Sequence, residues 1–567
     1  MRAAGDGADQ TGLTRSTALA VAASVGLALA FICAWWTVHD LSWPAEIDLY
    51  RDLGTANAML DGVRGDHAYH EELRWYPPLL PAIVALISRL TGAATHVVYT
   101  RGGPLLNLLA PIFFFLVARR WVGSLAATAA LFGLLFFGPQ QLDAWQYATY
   151  SPWLWPFSFA RGLFFATLFC HPAMARKPAE RTDRTSVIRS VLTGALLGLT
   201  FLAHPAPAAI LAVTFVVYAA LTPRGPARAG RWFELVLLGA VSFLLTLPFV
   251  APLWGKYHLT TLNSDPSRWV GVSLHAMIRD LARPRTLIAI LGAVYVWRVR
   301  TWRIWLGSDL AIKSDPRRPT GRVFVEAGGP QRTLLIACLS ATIFWFAYGL
   351  VSQILENRNL ALLPQIVPTF HFYLYLQMAA LLAFGVGFAL LVQWFIAGVR
   401  RTMGMRLPVT TVTAAVLLAL TTAGLPWHMR ARDFVVFRNW SQGYEADPSV
   451  AGLYDWLRAN TTPDTVVLSP PALADVAVAS SGRGVVSLPM NHSNPYVSFV
   501  QRDADRQRMY DALRQGDTLG FRALAERYHV SYVAFNQDSP APSPSRYLQP
   551  VGSFGQVQLA KVLIAEK

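Results

Sequence analysis

Twelve nearly uncharged apolar runs punctuate the sequence, near residues 17–38, 77–90, 104–118, 124–138, 153–170, 188–203, 206–222, 232–252, 286–298, 333–353, 371–397 and 409–427. A helix takes about 20 apolar residues to cross the bilayer core, within a range of roughly 17–25. Backbone groups in lipid must be satisfied within the protein, which restricts spanning segments to helices or closed barrels. Runs this long, without alternation of apolar and polar positions, belong to helices. The sequence therefore reads as a polytopic α-helical membrane protein with about 11–13 transmembrane helices. Only 14% of the residues are charged, against about 25% in a soluble domain.

The formal charge of +16 gathers in short connections between the apolar runs. Arg176, Lys177, Arg181 and Arg184 lie in one, Arg298, Arg300, Arg303, Lys313, Arg317 and Arg318 in another, and Arg400, Arg401 and Arg406 in a third. That is the positive-inside pattern, which orients helices and does not bind a polyanion. It makes the bilayer the partner and excludes nucleic acid. It places the N-terminus in the cytoplasm, and 39–76, 139–152, 253–285, 354–370 and all beyond about 428 outside. The first apolar run has no convincing cleavage site after it and reads as a retained helix. Arginine outnumbers lysine as in a GC-rich bacterial genome, so a bacterial inner membrane is expected. One conflict stands: twelve crossings return the chain to its starting side, whereas the charges place its ends on opposite sides. The conflict is local to 77–123, where two short runs precede Arg119 and Arg120. Cys33, Cys170 and Cys338, each within an apolar run, make neither a disulfide framework nor a metal site.

Beyond about 430 the character changes. The pieces VAGLYDWLRANT, TVVLS, ALADVAVAS, GVVSLP, FVQRDADRQRMYDALRQG, FRALAERYHV and VSYVAFN alternate helix-like and strand-like patterns. This predicts a small extracytoplasmic α/β domain over 430–567 with partly parallel strands. It follows a membrane domain over 1–429 that includes the outer loop 39–76. SGRG at 481–484 is not followed by a nucleotide-binding pattern, and the sequons at Asn439, Asn460 and Asn491 read as chance.

The first outer loop holds most of the chemistry. PAEIDLYRDLG, residues 44–54, places Glu46 and Asp48 directly after the first helix. Leu49, Leu53, Ala56 and Leu60 recur at helical spacing, predicting an amphipathic helix over 49–62 along the outer membrane surface. Arg51 and Asp52 would then belong to its solvated face. A carboxylate at this boundary can take a proton from a hydroxyl or help hold a divalent cation. Ordinary interfacial solvation explains the same four charges taken alone.

The order of features resembles the GT-C superfamily of integral-membrane glycosyltransferases, which use polyprenyl-phosphate-linked sugars. The matching residues are Glu46, Asp48, Tyr50, Gly62 and Tyr76-Pro77-Pro78-Leu79, over about fifty residues. The many helices and the C-terminal domain add likeness of architecture. The resemblance implies a GT-C-like fold and a polyprenyl-phosphate sugar donor, with a glycan, lipid or protein of the cell envelope as acceptor. It also implies that Asp48 is the catalytic base, with Glu46 as its partner. Members differ in metal use, so Mg or Mn is not implied by the sequence; Asp48 and Glu46 would be the ligands if one were held.

The chemistry of such a transfer asks for two kinds of group. A carboxylate removes the acceptor proton, and arginines hold the departing phosphate, which needs no separate acid. A single displacement inverts the anomeric centre. Arg358 is the first candidate for the phosphate, followed by Arg161, Arg268 and His275, then Arg74 and Lys256; each alone reads equally as an interfacial anchor. Asp143 lies among Trp145, Tyr147, Tyr150, Trp153 and Trp155, which could stack on sugar or form an interfacial aromatic belt. His204 and His371 are imidazoles at membrane depth, where ionisable groups are candidates for function, although each singly fits a packed, hydrogen-bonded histidine. Zincin, redox, serine-hydrolase and ATPase motifs are absent from the sequence. Two rivals remain: a secondary transporter, whose expected internal repeat is not found, and an envelope scaffold anchored by its helices.

Overall fold

The apolar runs fold as helices in a computed structural model that describes residues 7–137, 150–175, 184–223, 226–263, 274–305, 329–358, 360, 363, 367–405, 407–536 and 547–563. Helix α1 (Gly7–Val38) delivers the chain to the first loop, which turns into α2 (Ile47–Leu60). Then come α3 (Leu79–Thr91), α4 (Thr95–Leu106), α5 (Leu109–Phe136), α6 (Pro156–Cys170), α7 (Arg184–Ala203), α8 (Pro205–Leu221) and α9 (Pro226–Tyr257). The short α10 (Leu274–Leu281) precedes α11 (Pro284–Trp305), α12 (Gly329–Asn357), α13 (Thr369–Met403) and α14 (Val409–His428), and α15 (Arg432–Ala446) leaves the bundle. Among the described residues, seven helical stretches are long and apolar enough to cross a membrane, and α3, α6 and α8 are shorter apolar helices.

The conflict over 77–123 resolves at α3. Its 13 residues rise about 20 Å, short of a bilayer core of about 30 Å. Both of its ends stay beside α2. Tyr76, just before it, lies with its ring centroid 3.5 Å from the Arg51 guanidinium. Thr95, just after it, donates to Asn57 Oδ1 at 2.7 Å. The helix therefore lies along α2 and does not cross. Gly123, at φ 81° and ψ 165°, divides α5 in two next to Arg119 and Arg120. Arg120 donates to the Met174 carbonyl at 2.8 Å, and Arg189 to those of Phe169 and Cys170 at 3.0 and 3.1 Å, so these cations share one end of the bundle. Setting α3 aside reduces the twelve apolar runs to eleven, an odd number, and Arg119–Arg120 obeys the charge rule.

The C-terminal part builds a five-stranded sheet in the order β2-β1-β3-β5-β4. Its strands are β1 (Val466–Leu468), β2 (Gly484–Val485), β3 (Val530–Phe535), β4 (Leu548–Phe554) and β5 (Val557–Val562). β2, β1 and β3 pair in parallel, joined through α16 (Leu453–Asn460), α17 (Pro471–Leu473) with its irregular helical continuation to Ser481, α18 (Phe499–Gln515) and α19 (Thr518–Arg527) in chain order around them. The antiparallel hairpin β4–β5 adds to β3 with Val533 opposite Ala560. Sequence reading overlooks this hairpin, because LQPVGSF carries a proline and a glycine that read as loop.

The helix expected at 49–62 forms at Ile47–Leu60, but it does not lie on a surface. Leu49, Tyr50, Leu53 and Ala56 are fully buried, and Arg51 and Asp52 keep only 6% and 1% of their surface. The polar face is sunk because its charges satisfy one another and because the C-terminal domain covers it. Asn57 donates to Tyr454 Oη at 2.9 Å and to the Ser480 carbonyl at 2.8 Å. Asp61 accepts from Arg458 at 2.5 Å and Arg483 at 2.7 Å. A Cβ on Gly54 would collide with the Ala479 carbonyl oxygen and the His67 ring, so this close approach requires glycine. The hydrophobic core runs without a break from the bundle (Phe114, Phe164, Phe372) through α2 into Val476 of the outer domain.

Candidate active site

Glu46 begins α2 as its N-cap: extended at φ −156° and ψ 153°, it accepts the Asp48 backbone N–H at 3.0 Å on Oε2. A carboxylate here satisfies an amide that has no partner inside the helix. Glu46 is 6% exposed. Burial, and next the charge of Asp48, push its carboxyl up to about 8. Glu46 thus fixes the backbone at Asp48 and is itself held in the protonated form at neutral pH.

Asp48 sits one turn before Arg51 and Asp52. Its side chain keeps 40% of its surface although protein atoms surround it on nearly every side, as a carboxylate lining a recess would. Two cations approach it. Arg51 Nη1 is 3.5 Å from Oδ1, and His492 Nε2 is 3.3 Å from the same oxygen. Burial alone would raise this carboxyl, but the contact with His492 and the charges of Arg51 and His492 outweigh it and hold the pKa below the usual carboxylate range. With both closest approaches on Oδ1, Oδ2 is the oxygen left to take a proton.

The two cations have partners of their own. Arg51 Nε pairs with Asp52 Oδ1 at 3.1 Å, and its guanidinium stacks on Tyr76. His492 Nδ1 pairs with Asp475, which stands on the helical run after α17, and both side chains are 2% exposed. Desolvation would lower the imidazole, but the Asp475 charge and the flanking contacts raise it to about 10. The result is a row of alternating charges, Asp475, His492, Asp48, Arg51 and Asp52, contributed jointly by the first loop and the C-terminal domain. The loop bearing His492 is fastened to the first loop: Asn494 Nδ2 donates to Asp66 Oδ2 at 3.0 Å, and Tyr69 Oη lies 3.0 Å from Ser493 Oγ.

A second cluster lies at the same end of the bundle. His204 caps α8, its Nδ1 accepting from the Ala206 N–H at 3.3 Å, which leaves Nε2 to carry the proton of the neutral ring. Its ring centroid is 4.4 Å from that of His371, at the start of α13. The His371 ring lies 6.1 Å from Phe157, over which the Arg161 guanidinium stands at 5.3 Å. Arg161 is 2% exposed and donates to Ser158 Oγ at 2.8 Å. The charges of Asp48 and Arg161 both reach His371, and those of Asp48 and Arg51 reach His204. The two imidazoles and Arg161 therefore form one buried polar cluster, a floor whose histidines lie within electrostatic reach of Asp48.

The other expected residues disperse. Arg358 is exposed at the end of α12 and makes no hydrogen bond or ion pair with the Asp48 cluster among the described residues. Arg74 donates to the Val63 carbonyl at 3.1 Å and faces Asp66. Lys256 pairs with Glu72 at 2.8 Å. Arg268 and Asp143 lie outside the described residues, as does the side chain of His275 on α10. Arg51 and Asp52, read from sequence as solvated, are corrected to buried members of the charged row. His492 and Asp475 went unnoticed; the available signal was a lone aspartate in the apolar run ALADVAVAS and a histidine in the turn-rich PMNHSNPY. A divalent cation fits this donor set poorly. Glu46 is spent on the helix cap, Asp48 on two protein cations, and no group of three His, Cys, Asp or Glu placed to hold a metal occurs among the described residues.

No family model matches the sequence, and no curated protein matches it. Solved structures do resemble the fold. ArnT from Cupriavidus metallidurans in the apo state matches with a TM-score of 0.51 at 13% identity, over 95% of this chain and 97% of that one. ArnT bound to undecaprenyl phosphate matches with a TM-score of 0.50 at 13% identity, over the same shares of the two chains, 95% and 97%. The archaeal oligosaccharyltransferase AglB from Archaeoglobus fulgidus gives 0.48 at 14% identity, over 90% of this chain and 69% of that one. The correspondence with ArnT over nearly the whole of both chains shows that this chain shares its fold, the GT-C-like architecture that the resemblance around Asp48 led one to expect.

Proposed function

We propose that the protein is a membrane glycosyltransferase that takes a sugar from a polyprenyl-phosphate donor and passes it to an acceptor in the cell envelope. The observation that carries this reading is the accessible Asp48 carboxylate in its recess, within electrostatic reach of the buried His204 and His371, which cluster with Arg161. The acceptor hydroxyl attacks the anomeric carbon, and Asp48 Oδ2 receives its proton as the new bond forms. The bond from the anomeric carbon to the phosphate oxygen breaks, and the electron pair leaves with the phosphate. His204 Nε2–H, His371 and the Arg161 guanidinium supply donors and positive charge for that anion. An in-line displacement of this kind inverts the anomeric centre.

A lipid-linked donor suits the position of the floor, which lies at the ends of α6, α7 and α13, where a phosphate can meet protein while its chain stays in lipid. Near it, a small apolar cavity lined by Phe114, Phe164, Phe165, Cys338, Tyr375 and Met378 lies between α5, α6, α12 and α13. ArnT, with the same fold, has been solved with undecaprenyl phosphate. The arginine-rich connections support a cytoplasmic position for the end of the bundle opposite Asp48, so transfer would take place on the extracytoplasmic side of a bacterial inner membrane, under the C-terminal domain. Purified protein in nanodiscs, incubated with a panel of radiolabelled polyprenyl-phosphoryl sugars and envelope membranes as acceptor source, should release free polyprenyl phosphate. Absence of release from every donor, together with solute uptake into proteoliposomes, would overturn the reading in favour of a transporter.

A further inference from the structure

We propose that Asp475 and His492 of the C-terminal domain are positioning residues for Asp48, so that the active site is complete only when that domain is seated on the first outer loop. The inference rests on the glycosyltransferase reading above. It assigns a chemical task to two residues that touch no substrate.

A packed histidine needs one hydrogen-bond partner and usually stays neutral. His492 instead has a carboxylate at each ring nitrogen: Asp475 at Nδ1, and Asp48 Oδ1 at 3.3 Å from Nε2. Its ring is 2% exposed, so both orientation and charge are fixed by these neighbours. The other charged or titratable groups that face it are Glu46, Arg51 and Asp52 from α2 and its cap, and His67 from the loop beyond. Asp475 is almost fully buried, and its Oδ1 has no hydrogen-bond partner among the described residues. A buried carboxylate with one free oxygen is costly to keep. The imidazolium it holds is the compensation.

The arrangement constrains Asp48 in a definite way. His492 and Arg51 both make their closest approach to Oδ1, which restrains the carboxylate and leaves Oδ2 without either of these contacts. The loop that carries His492 cannot drift, because it is tied at several points. Asn494 holds Asp66 at 3.0 Å and the Leu73 carbonyl at 3.2 Å. The Leu488 N–H donates to Tyr69 Oη at 3.0 Å. From the membrane side, Asn263, just beyond α9, donates to the Asn494 carbonyl at 2.9 Å and accepts the Phe499 N–H at 2.9 Å. The docked domain therefore delivers an oriented cation to the base.

The test is a double-mutant cycle on full-length protein in nanodiscs, measuring release of polyprenyl phosphate from the radiolabelled donor panel with envelope membranes present. His492→Gln removes the charge and keeps a donor, and should lower kcat about 10²-fold, the cost of a misplaced reacting group, with KM for the donor unchanged. Asp475→Asn should lower kcat about 10-fold in the same manner, by loosening the ring. In the Asp48→Asn background, His492→Gln should cost nothing further, because the group it orients is gone. A purely structural pin gives a different pattern: kcat per folded molecule stays at the wild-type value, or the two losses multiply. Either result overturns the proposal while leaving the glycosyltransferase reading in place. Full activity of Asp48→Asn, or no release by the wild type from any donor, overturns the reading and the proposal together.

Discussion

Removing the buried guanidinium of Arg51 should destabilise the protein far more than removing it together with Asp52. Arg51 pairs with Asp52 at 3.1 Å, and the Asp52 side chain keeps 1% of its surface. Asp52 Oδ2 has no hydrogen-bond partner among the described residues, so the guanidinium is what compensates this carboxylate. Arg51→Met keeps an apolar stem beside Tyr76 and strands the Asp52 charge. Breaking a buried pair in this way costs about 3–5 kcal/mol, most of it the price of the stranded partner. Replacing both members by apolar residues of similar volume is often near neutral. Arg51→Met with Asp52→Leu should therefore recover most of the loss, the two changes being strongly non-additive. Thermal unfolding in detergent, followed by tryptophan fluorescence, should show the single variant about 3–4 °C below wild type and the double variant close to it. A single variant as stable as wild type, or a double variant no better than the single, would refute the role given to the pair.

Three further outcomes follow from the same geometry. Glu46 is held up to about 8, above its ordinary 4.5, so the stability it contributes is complete below 4.5 and lost as pH rises through about 8; wild type should lose apparent thermal stability over that upper range, Glu46→Gln should not, and parallel curves would contradict the assignment. Gly54→Val would drive a side chain into the Ala479 carbonyl and the His67 ring; a loss of at least about 1–3 kcal/mol and faster proteolysis between bundle and outer domain are expected, and an unchanged digestion pattern would contradict the close approach. His371→Ala and Arg161→Gln should raise the donor KM about tenfold or more with a smaller effect on kcat, as loss of ground-state phosphate binding does; an unchanged KM would remove both from the phosphate floor.

Much of the architecture was legible because lipid leaves so few options. Long apolar runs could only be helices. The ambiguity over 77–123 arose because a 13-residue apolar helix can lie along another helix as readily as it can cross, and only its neighbours decide. Asp48 was legible from its place after the first helix and from the Tyr76-Pro77-Pro78 context. Its partners were not, since Asp475 and His492 lie more than 400 positions away, and no local pattern tells which loop will fold back over α2. Arg51 and Asp52 misled for a related reason. A sequence shows that a residue is charged, but whether it is solvated depends on a covering domain supplied elsewhere in the chain. Arg358, preferred for its position at the end of a helix, joins no cluster among the described residues, whereas Arg161, His204 and His371 converge from three separate helices.

The most direct test of the central claim is the rate of sugar transfer by Asp48→Asn, compared with its thermal stability in the same nanodiscs. The substitution leaves Arg51 paired with Asp52 and His492 paired with Asp475, so the fold should persist with its apparent midpoint close to wild type. Loss of a general base should lower kcat about 10²- to 10⁴-fold. A well-folded Asp48→Asn protein that transfers sugar at the wild-type rate would contradict the account.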